Sequence, residues 1–444
     1  MVNVCVIGLG RIGLPLALLL ARAGHKVFGV DADPRTLHKI RDNCLDWPSA
    51  EAEKVLIGNF LNKSFFVTDE LHEALCRSDV IFVAIGTGIG SDGTPDLSNL
   101  FNLFESICSN PNEVKGKLFV IKSTVPVGTS RKIATFIEEK TGLRCGEDFF
   151  LAFCPERVLG DKAIEEMVSL PKIIGGMDRV ASERAACVYE TIGGKIIIVD
   201  RPEIAELVKL VDNAYRQTLF AFANDLALLA EKYGMNAYEL VKVANDSYPR
   251  NNIPFPSAGV GGYCLTKDPL YLETAFKDVS SKRGFSSVWY WARKANDYMP
   301  EHVVEILQNI LSSLGKDLKN LNVLICGIAY KENTDDIRYS HGLVIAAKLK
   351  ERGASVFLWD PKVKETEGIS FHVVEDPEEI LETLDALIFT VKHNEFVQLA
   401  KDDAILAMLR KMRTPILIDG WGIFQKLAER PDIFYAGVGI PYKK

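Results

Sequence analysis

Apolar runs bounded by turn residues alternate with helix-period segments through the first half of the chain. Val4-Cys5-Val6-Ile7 is such a run, ending in Gly8-Leu9-Gly10-Arg11-Ile12-Gly13. A helical segment from Leu14 to Ala23 follows, stopped by Gly24, and a strand from Lys26 to Val30 ends in Asp31-Ala32-Asp33. Unbroken apolar runs predict further parallel strands at Asp79 to Ile85, Lys117 to Lys122, Phe149 to Phe153 and Lys195 to Val199. Continuous apolar strands are buried on both faces, as in a parallel sheet covered by helices.

From Pro202 to about Tyr233 the period turns helical, with no internal glycine or proline. That is nearly three times the mean helix length. A second helix, Ala237 to Ala244, leads into the proline-rich, loop-like stretch Tyr248-Pro249-Arg250-Asn251-Asn252-Ile253-Pro254-Phe255-Pro256. Residues 269–315 read as mainly helical. A strand from Asn322 to Ala329, a polar loop from Lys331 to Arg338, a helix from Gly342 to Arg352 and a strand from Ser355 to Trp359 come next. Strands at Ala386 to Val391 and Ile416 to Asp419 continue this sheet.

The run from Arg352 to Asp360 echoes the run from Ala23 to Asp31, so the chain holds a second strand–helix–strand unit without the glycine triplet. The expected fold is α/β, with two Rossmann-like doubly wound lobes joined by a central helical domain that contains one long helix. The domains are expected at 1–200, 201–315 and 316–444.

Composition narrows the functional classes. A net charge of −7 on 444 residues gives no footprint for nucleic acid or an anionic membrane. Nine scattered cysteines without a C-x-x-C pair argue against a disulfide framework or a zinc site, and no metal is expected. The longest apolar run, Leu14 to Ala21, is too short to span a bilayer, and no signal peptide precedes the first strand. A cytoplasmic protein is expected.

G-x-G-x-x-G from Gly8 to Gly13 has a strand before it, a helix after it and Asp31 at the end of the next strand. This is the context that dinucleotide binding needs: glycines for the tight turn, a helix N-terminus for the pyrophosphate, and an acid for the adenosine ribose. Asp31 repels a 2′-phosphate, so NAD is expected over NADP. Polar residues at the carboxyl ends of parallel strands line the ligand crevice, which makes Thr124 and Glu156 candidates; a capping hydroxyl and a solvated acid are the competing readings. Lys209 and Asn213 share a helix face, as do Asn213 and Gln217.

Gly259-Val260-Gly261-Gly262-Tyr263-Cys264-Leu265-Thr266-Lys267-Asp268 is the densest stretch of candidate chemistry. By itself it fits equally a reactive glycine loop and a turn around a structural cysteine. An NAD fingerprint together with a loop cysteine favours a four-electron oxidation. The thiolate adds to an aldehyde, the thiohemiacetal loses a second hydride, and water hydrolyses the thioester.

Several stretches resemble the UDP-glucose/GDP-mannose dehydrogenase family across nearly the whole chain. They are the Gly8–Gly13 fingerprint with Gly29-Val30-Asp31, Ser123-Thr124-Val125-Pro126-Val127-Gly128-Thr129, Pro155-Glu156 and Lys209-x-x-x-Asn213. Gly261-Gly262-x-Cys264-x-x-Lys267-Asp268 and Lys331-x-Asn333-Thr334-Asp335-Asp336-Ile337-Arg338 complete the set.

The resemblance implies an enzyme with NAD as cofactor and a UDP-sugar as substrate. Cys264 is then the nucleophile, and Lys209 and Asn213 stabilise charge on the substrate oxygen. Asp268, Thr124 and Glu156 position water and handle protons. It also implies cofactor contacts from Gly8, Gly10, Arg11, Ile12, Gly13, Asp31, Thr87, Thr124, Lys267 and Arg338. Substrate contacts follow for Glu156, Arg157, Leu159, Lys209, Asn213, Gly261, Gly262 and Lys331. Arg250 and Phe255 match positions that touch the sugar and nucleotide, the arginine from a neighbouring subunit, which implies a homodimer through the long helix.

Departures from the glucose-oxidising pattern point to the branch acting on UDP-N-acetylglucosamine or UDP-N-acetylmannosamine. Gly160 stands where a second acid follows the Pro-Glu, leaving room for an acetamido group, Tyr263 precedes the cysteine, and the loop 248–253 is short. UDP-glucose or GDP-mannose is the alternative within the family. A β-hydroxyacid dehydrogenase, which stops after one hydride transfer, and an NAD-responsive binding protein are alternatives outside it.

Overall fold

The computed structural model describes all residues except 46, 48–49, 91–92, 365–367, 402–403, 443–444 and the side chain of 161. Two compact units result: Met1–Asp212 with Leu270–Val279, and Asn213–Pro269 with Ser280–Lys444.

The first unit is built on an eight-stranded sheet. Its strands are β1 (Asn3–Ile7), β2 (Lys26–Val30), β3 (Phe65–Thr68), β4 (Val80–Val83), β5 (Leu118–Ile121), β6 (Phe150–Phe153), β7 (Lys172–Gly176) and β8 (Ile196–Val199). Their order is β8-β7-β6-β5-β4-β1-β2-β3. Alternate residues of β1 enter different cores: Val4 and Val6 pack with the helix Gly13–Arg22, Cys5 and Ile7 with the opposite layer. Both faces are therefore apolar, which is why the strands read as unbroken runs.

The expectation of parallel strands throughout needs correction at one edge. β7 runs antiparallel to β6, with Ala152 opposite Gly176, and β8 runs parallel to β7. An apolar run carries no direction; the connection between strands sets it. β7 itself escapes the pattern because a buried lysine opens it and two glycines close it.

The second unit holds six parallel strands: β9 (Asn322–Cys326), β10 (Ser355–Trp359), β11 (His372–Val373), β12 (Ala386–Phe389), β13 (Ile416–Asp419) and β14 (Phe434–Gly437). Their order is β11-β10-β9-β12-β13-β14. The echo in the sequence is a structural repeat. Gly8 and Gly327 both take positive φ, +90° and +101°. A Cβ on Gly13 would overlap the Gly8 carbonyl oxygen, and one on Gly342 would lie 2.6 Å from the Gly327 oxygen. Each pair lets a helix start against the end of the first strand. In the second unit fourteen residues (328–341) separate the partners, so the sequence hides the motif.

The long helix runs Pro202–Lys232 as expected. Val211, Tyr215, Phe222, Leu229 and Tyr233 recur along one face and are exposed. Near its start Glu206 is fully buried and caps another helix, Thr129–Thr141, whose N-cap residue Gly128 has no side chain to do so. Its Oε2 accepts the Gly128 N–H (2.6 Å), and Oε1 accepts the Ser130 N–H (2.8 Å) and hydroxyl (2.7 Å). Glu206→Ala strands those donors in the interior and should destabilise the protein by about 2–4 kcal/mol, read by urea unfolding.

Candidate active site

The nucleotide turn of the first unit has the geometry its residues call for. Gly8 donates its N–H to the Val30 carbonyl (2.8 Å), pinning the end of β1 to the end of β2. A Cβ on Gly10 would meet nothing within 4 Å, so the turn opens outward where a pyrophosphate approaches. Arg11 and Ile12 lie on this turn, partly buried. Asp31 is half-buried; it accepts the Leu9 N–H (2.7 Å) through one oxygen and the Asp33 N–H (2.9 Å) through the other. Both bonds hold the carboxylate at the strand end. The donor set and open turn fit NAD.

Thr87 and Thr124 meet at the ends of β4 and β5, where the Thr87 hydroxyl donates to the Thr124 carbonyl (2.6 Å). The Tyr271 hydroxyl donates to the neighbouring Gly88 carbonyl (2.6 Å). Glu156 follows β6 with its side chain only 10% exposed. One oxygen accepts the Arg157 N–H (2.9 Å), and the other lies 3.1 Å from Lys122 Nζ. Burial alone would raise the Glu156 pKa; the Lys122 charge and these hydrogen bonds outweigh it and hold it below the usual range. Arg157 pairs with Asp212 on the long helix (2.8 Å), and Leu159 is exposed. Lys209 is half-buried on that helix, with no ion pair or hydrogen bond from its ammonium among the described residues.

In the second unit the structure corrects one expectation: Cys264 belongs to no loop. It sits, exposed, on the first turn of the helix Tyr263–Arg283, whose N-cap residue is Gly262. The positive end of a helix dipole thus faces the thiol. Gly261 and Gly262 are glycines for a reason the sequence does not display. A Cβ on Gly261 would overlap the Tyr339 carbonyl, and one on Gly262 the Tyr330 ring. The close approach these glycines permit is to their own chain.

Asp268 is fully buried and takes the Asn213 amide through Oδ2 (2.6 Å). Its Oδ1 lies 3.6 Å from Lys267 Nζ and has no hydrogen-bond partner among the described residues. Lys267 and Arg338 both lie over the Tyr263 ring, at 4.8 Å and 5.1 Å from its centroid, and Arg338 pairs with Asp336 (2.6 Å). Lys331 is partly buried on the same irregular loop. That loop hangs on His393, which is fully buried: Nδ1 accepts the Asn333 N–H (2.9 Å) and Nε2 meets Asp360 (3.2 Å).

Two further expected residues make contacts of their own. Arg250 donates to the Tyr248 hydroxyl (2.8 Å) on its own loop. Phe255 stacks on Tyr238 (5.4 Å) at a cleft of about 690 Å³ that Lys242, Lys392 and Trp421 also line.

Sequence reasoning passed over Lys122, Tyr330, Tyr339 and His393. A signal existed for Lys122, since a lysine closing an apolar strand must find buried acceptors for its ammonium. The tyrosines carried none, because their role depends on which loop they meet.

Models of the UDP-glucose/GDP-mannose dehydrogenase family match the chain three times: its NAD binding domain at residues 2–193, its central domain at 203–298 and its UDP binding domain at 324–426. A UDP-N-acetyl-D-mannosamine dehydrogenase of Pyrococcus horikoshii is 33% identical over 96% of both chains. One from Campylobacter jejuni is 31% identical over 91% of this chain and 98% of its own. The solved structure of a UDP-glucose dehydrogenase from Pyrobaculum islandicum superposes with a TM-score of 0.84 at 28% identity, covering 99% of this chain and 98% of that one.

Asp31→Ala removes a charged acceptor and should raise the Kd for NAD at least about tenfold in calorimetric titration. An unchanged Kd would remove Asp31 from the cofactor site.

Proposed function

We propose, for a chain that belongs to the UDP-glucose/GDP-mannose dehydrogenase family, that it oxidises the C6 alcohol of a UDP-N-acetylhexosamine to the uronic acid. The sugar is UDP-N-acetylmannosamine or UDP-N-acetylglucosamine, and the reaction runs through a cysteine thiohemiacetal and thioester. The domains divide at 1–200 for NAD, 201–315 for the central helices and cysteine, and 316–444 for the UDP-sugar. The observation that carries the reading is Cys264, exposed on the first turn of a helix that also presents Asp268, with Asn213 bonded to it. Likeness to the mannosamine enzymes supports the acetamido sugar, as does Gly160, where a Cβ would meet nothing within 4 Å.

When bound, NAD supplies the hydride acceptor for both oxidations. The Gly8–Gly13 turn, Asp31, Thr87, Thr124, Lys267 and Arg338 would hold it. The Cys264 thiolate adds to the aldehyde carbon, and the oxygen that gains charge is stabilised by the Lys209 ammonium and the Asn213 amide. Water then cleaves the thioester and restores the thiol. The Oδ1 of buried Asp268, which has no hydrogen bond among the described residues, is an acceptor suited to that water, and Glu156 and Thr124 are assigned to handling protons. Overall one alcohol, two NAD⁺ and one water give a carboxylate, two NADH and three protons. Arg157, Leu159, Gly261, Gly262, Lys331 and Phe255 hold the substrate.

The protein works as a cytoplasmic homodimer through the long helix, with Arg250 reaching the neighbouring subunit. The exposed stripe Val211, Tyr215, Phe222, Leu229 and Tyr233 supports this, since monomers rarely leave so long an apolar face uncovered. Among the described residues no helix is long and apolar enough to cross a membrane.

Purified protein should form two NADH per sugar nucleotide, and Cys264→Ser should abolish the second equivalent. One NADH per substrate with an active mutant sinks the thioester. Turnover of UDP-glucose or GDP-mannose alone in a panel with both acetamido sugars rejects the substrate assignment. Phe222→Glu should halve the sedimenting mass.

A further inference from the structure

Lys122 closes β5 with its side chain fully buried, immediately before the Ser123-Thr124 motif. Its ammonium meets Glu156 Oε2 (3.1 Å) and donates to the Tyr189 hydroxyl (3.0 Å) and the Cys154 carbonyl (3.4 Å). The other Glu156 oxygen takes the Arg157 N–H (2.9 Å), so the carboxylate is fixed at both oxygens.

We propose that Lys122 is a positioning residue: it holds Glu156 as an oriented anion, so that Glu156 acts on the reacting groups as an acceptor of hydrogen bonds and protons, not as an acid. The proposal rests on the reading that places Glu156 in the chemistry. A stabilising role alone does not account for the pair, because apolar residues of the same volume replace buried ion pairs at little or no loss of stability.

The other groups facing Glu156 agree. Lys172 on β7 adds a second positive charge, its Nζ bonded to the Leu170 carbonyl (2.8 Å). Burial raises the pKa of the Cys154 thiol and of the Tyr189 phenol, so both are neutral donors or acceptors. Arg157 turns its guanidinium to Asp212 (2.8 Å). Lys122 is the only one of these groups whose ammonium touches the carboxylate.

The sign follows from the pair. A carboxylate whose pKa is depressed by a cation stays ionised until the pH falls through that value; without the cation, burial drives the pKa up and the anion is lost at higher pH. Lys122→Met should therefore lower kcat at pH 7 by about tenfold or more, shift the acid limb of the kcat profile up by about one pH unit or more, and leave the KM for NAD unchanged. Lys122→Arg should restore most of the activity and the original limb.

Because the single variant leaves a buried unpaired carboxylate, Lys122→Met/Glu156→Gln provides the folded control. It should melt near the parent and turn over no more slowly than Glu156→Gln alone. An acid limb that does not move in folded Lys122→Met, or losses that multiply in the double variant, overturns the proposal. Full turnover by Glu156→Gln overturns the reading of Glu156 beneath it, and the two failures are told apart by which variant shows them.

Discussion

Both units depend on one steric contact, a helix that begins directly against the carbonyl at the end of the first strand. The Gly13–Gly8 and Gly342–Gly327 pairs make the contact possible, because any Cβ would strike the carbonyl oxygen or crowd it. With the helix so close, its N-terminal N–H groups point at the carboxyl edge of the sheet, and an anion placed there is favoured. An acid at the end of the second strand completes each arrangement. Asp31 takes the Leu9 N–H, and Asp360 takes the N–H groups of Ile328 (2.7 Å) and Ala329 (2.9 Å). The two acids then diverge. Asp31 stays half-open to a ligand, whereas His393 closes over Asp360 and ties down the loop that carries Lys331 and Arg338.

Carboxylates buried on purpose recur through the molecule, each with a different partner. Glu206 has backbone N–H groups, Glu156 has Lys122, Asp360 has His393, and Asp268 has the Asn213 amide. Desolvation makes an unpartnered charge far costlier than any of these contacts is worth, so each pair fixes the orientation of the elements it joins. Of these four, Asp268 keeps an oxygen without a hydrogen bond among the described residues, one residue along from Lys267 and on the helix that begins beside Cys264.

Helix geometry explains how Cys264 is presented. Gly262, with φ +88°, turns the chain into the helix, and the Tyr330 ring and Tyr339 carbonyl pack against the glycines from the second unit's polar loop. The position of Cys264 is thus coupled to the segment that carries Lys331 and Arg338. No single stretch of chain could encode that coupling.

The sequence by itself determined the β1–helix–β2 nucleotide turn, the long helix, the six strands read as apolar runs in the first unit, and the family. It could do so because those features are local: a glycine spacing, an acid at a strand end, a period of 3.6 residues. The direction of β7 and β8, the hidden Gly327–Gly342 pair and the helical setting of Cys264 were decided only by the tertiary structure. So were the buried partners of Glu156 and Asp268. Each depends on residues far apart in the chain meeting in a dry interior, where desolvation and steric contact select the partner and sequence spacing has no say.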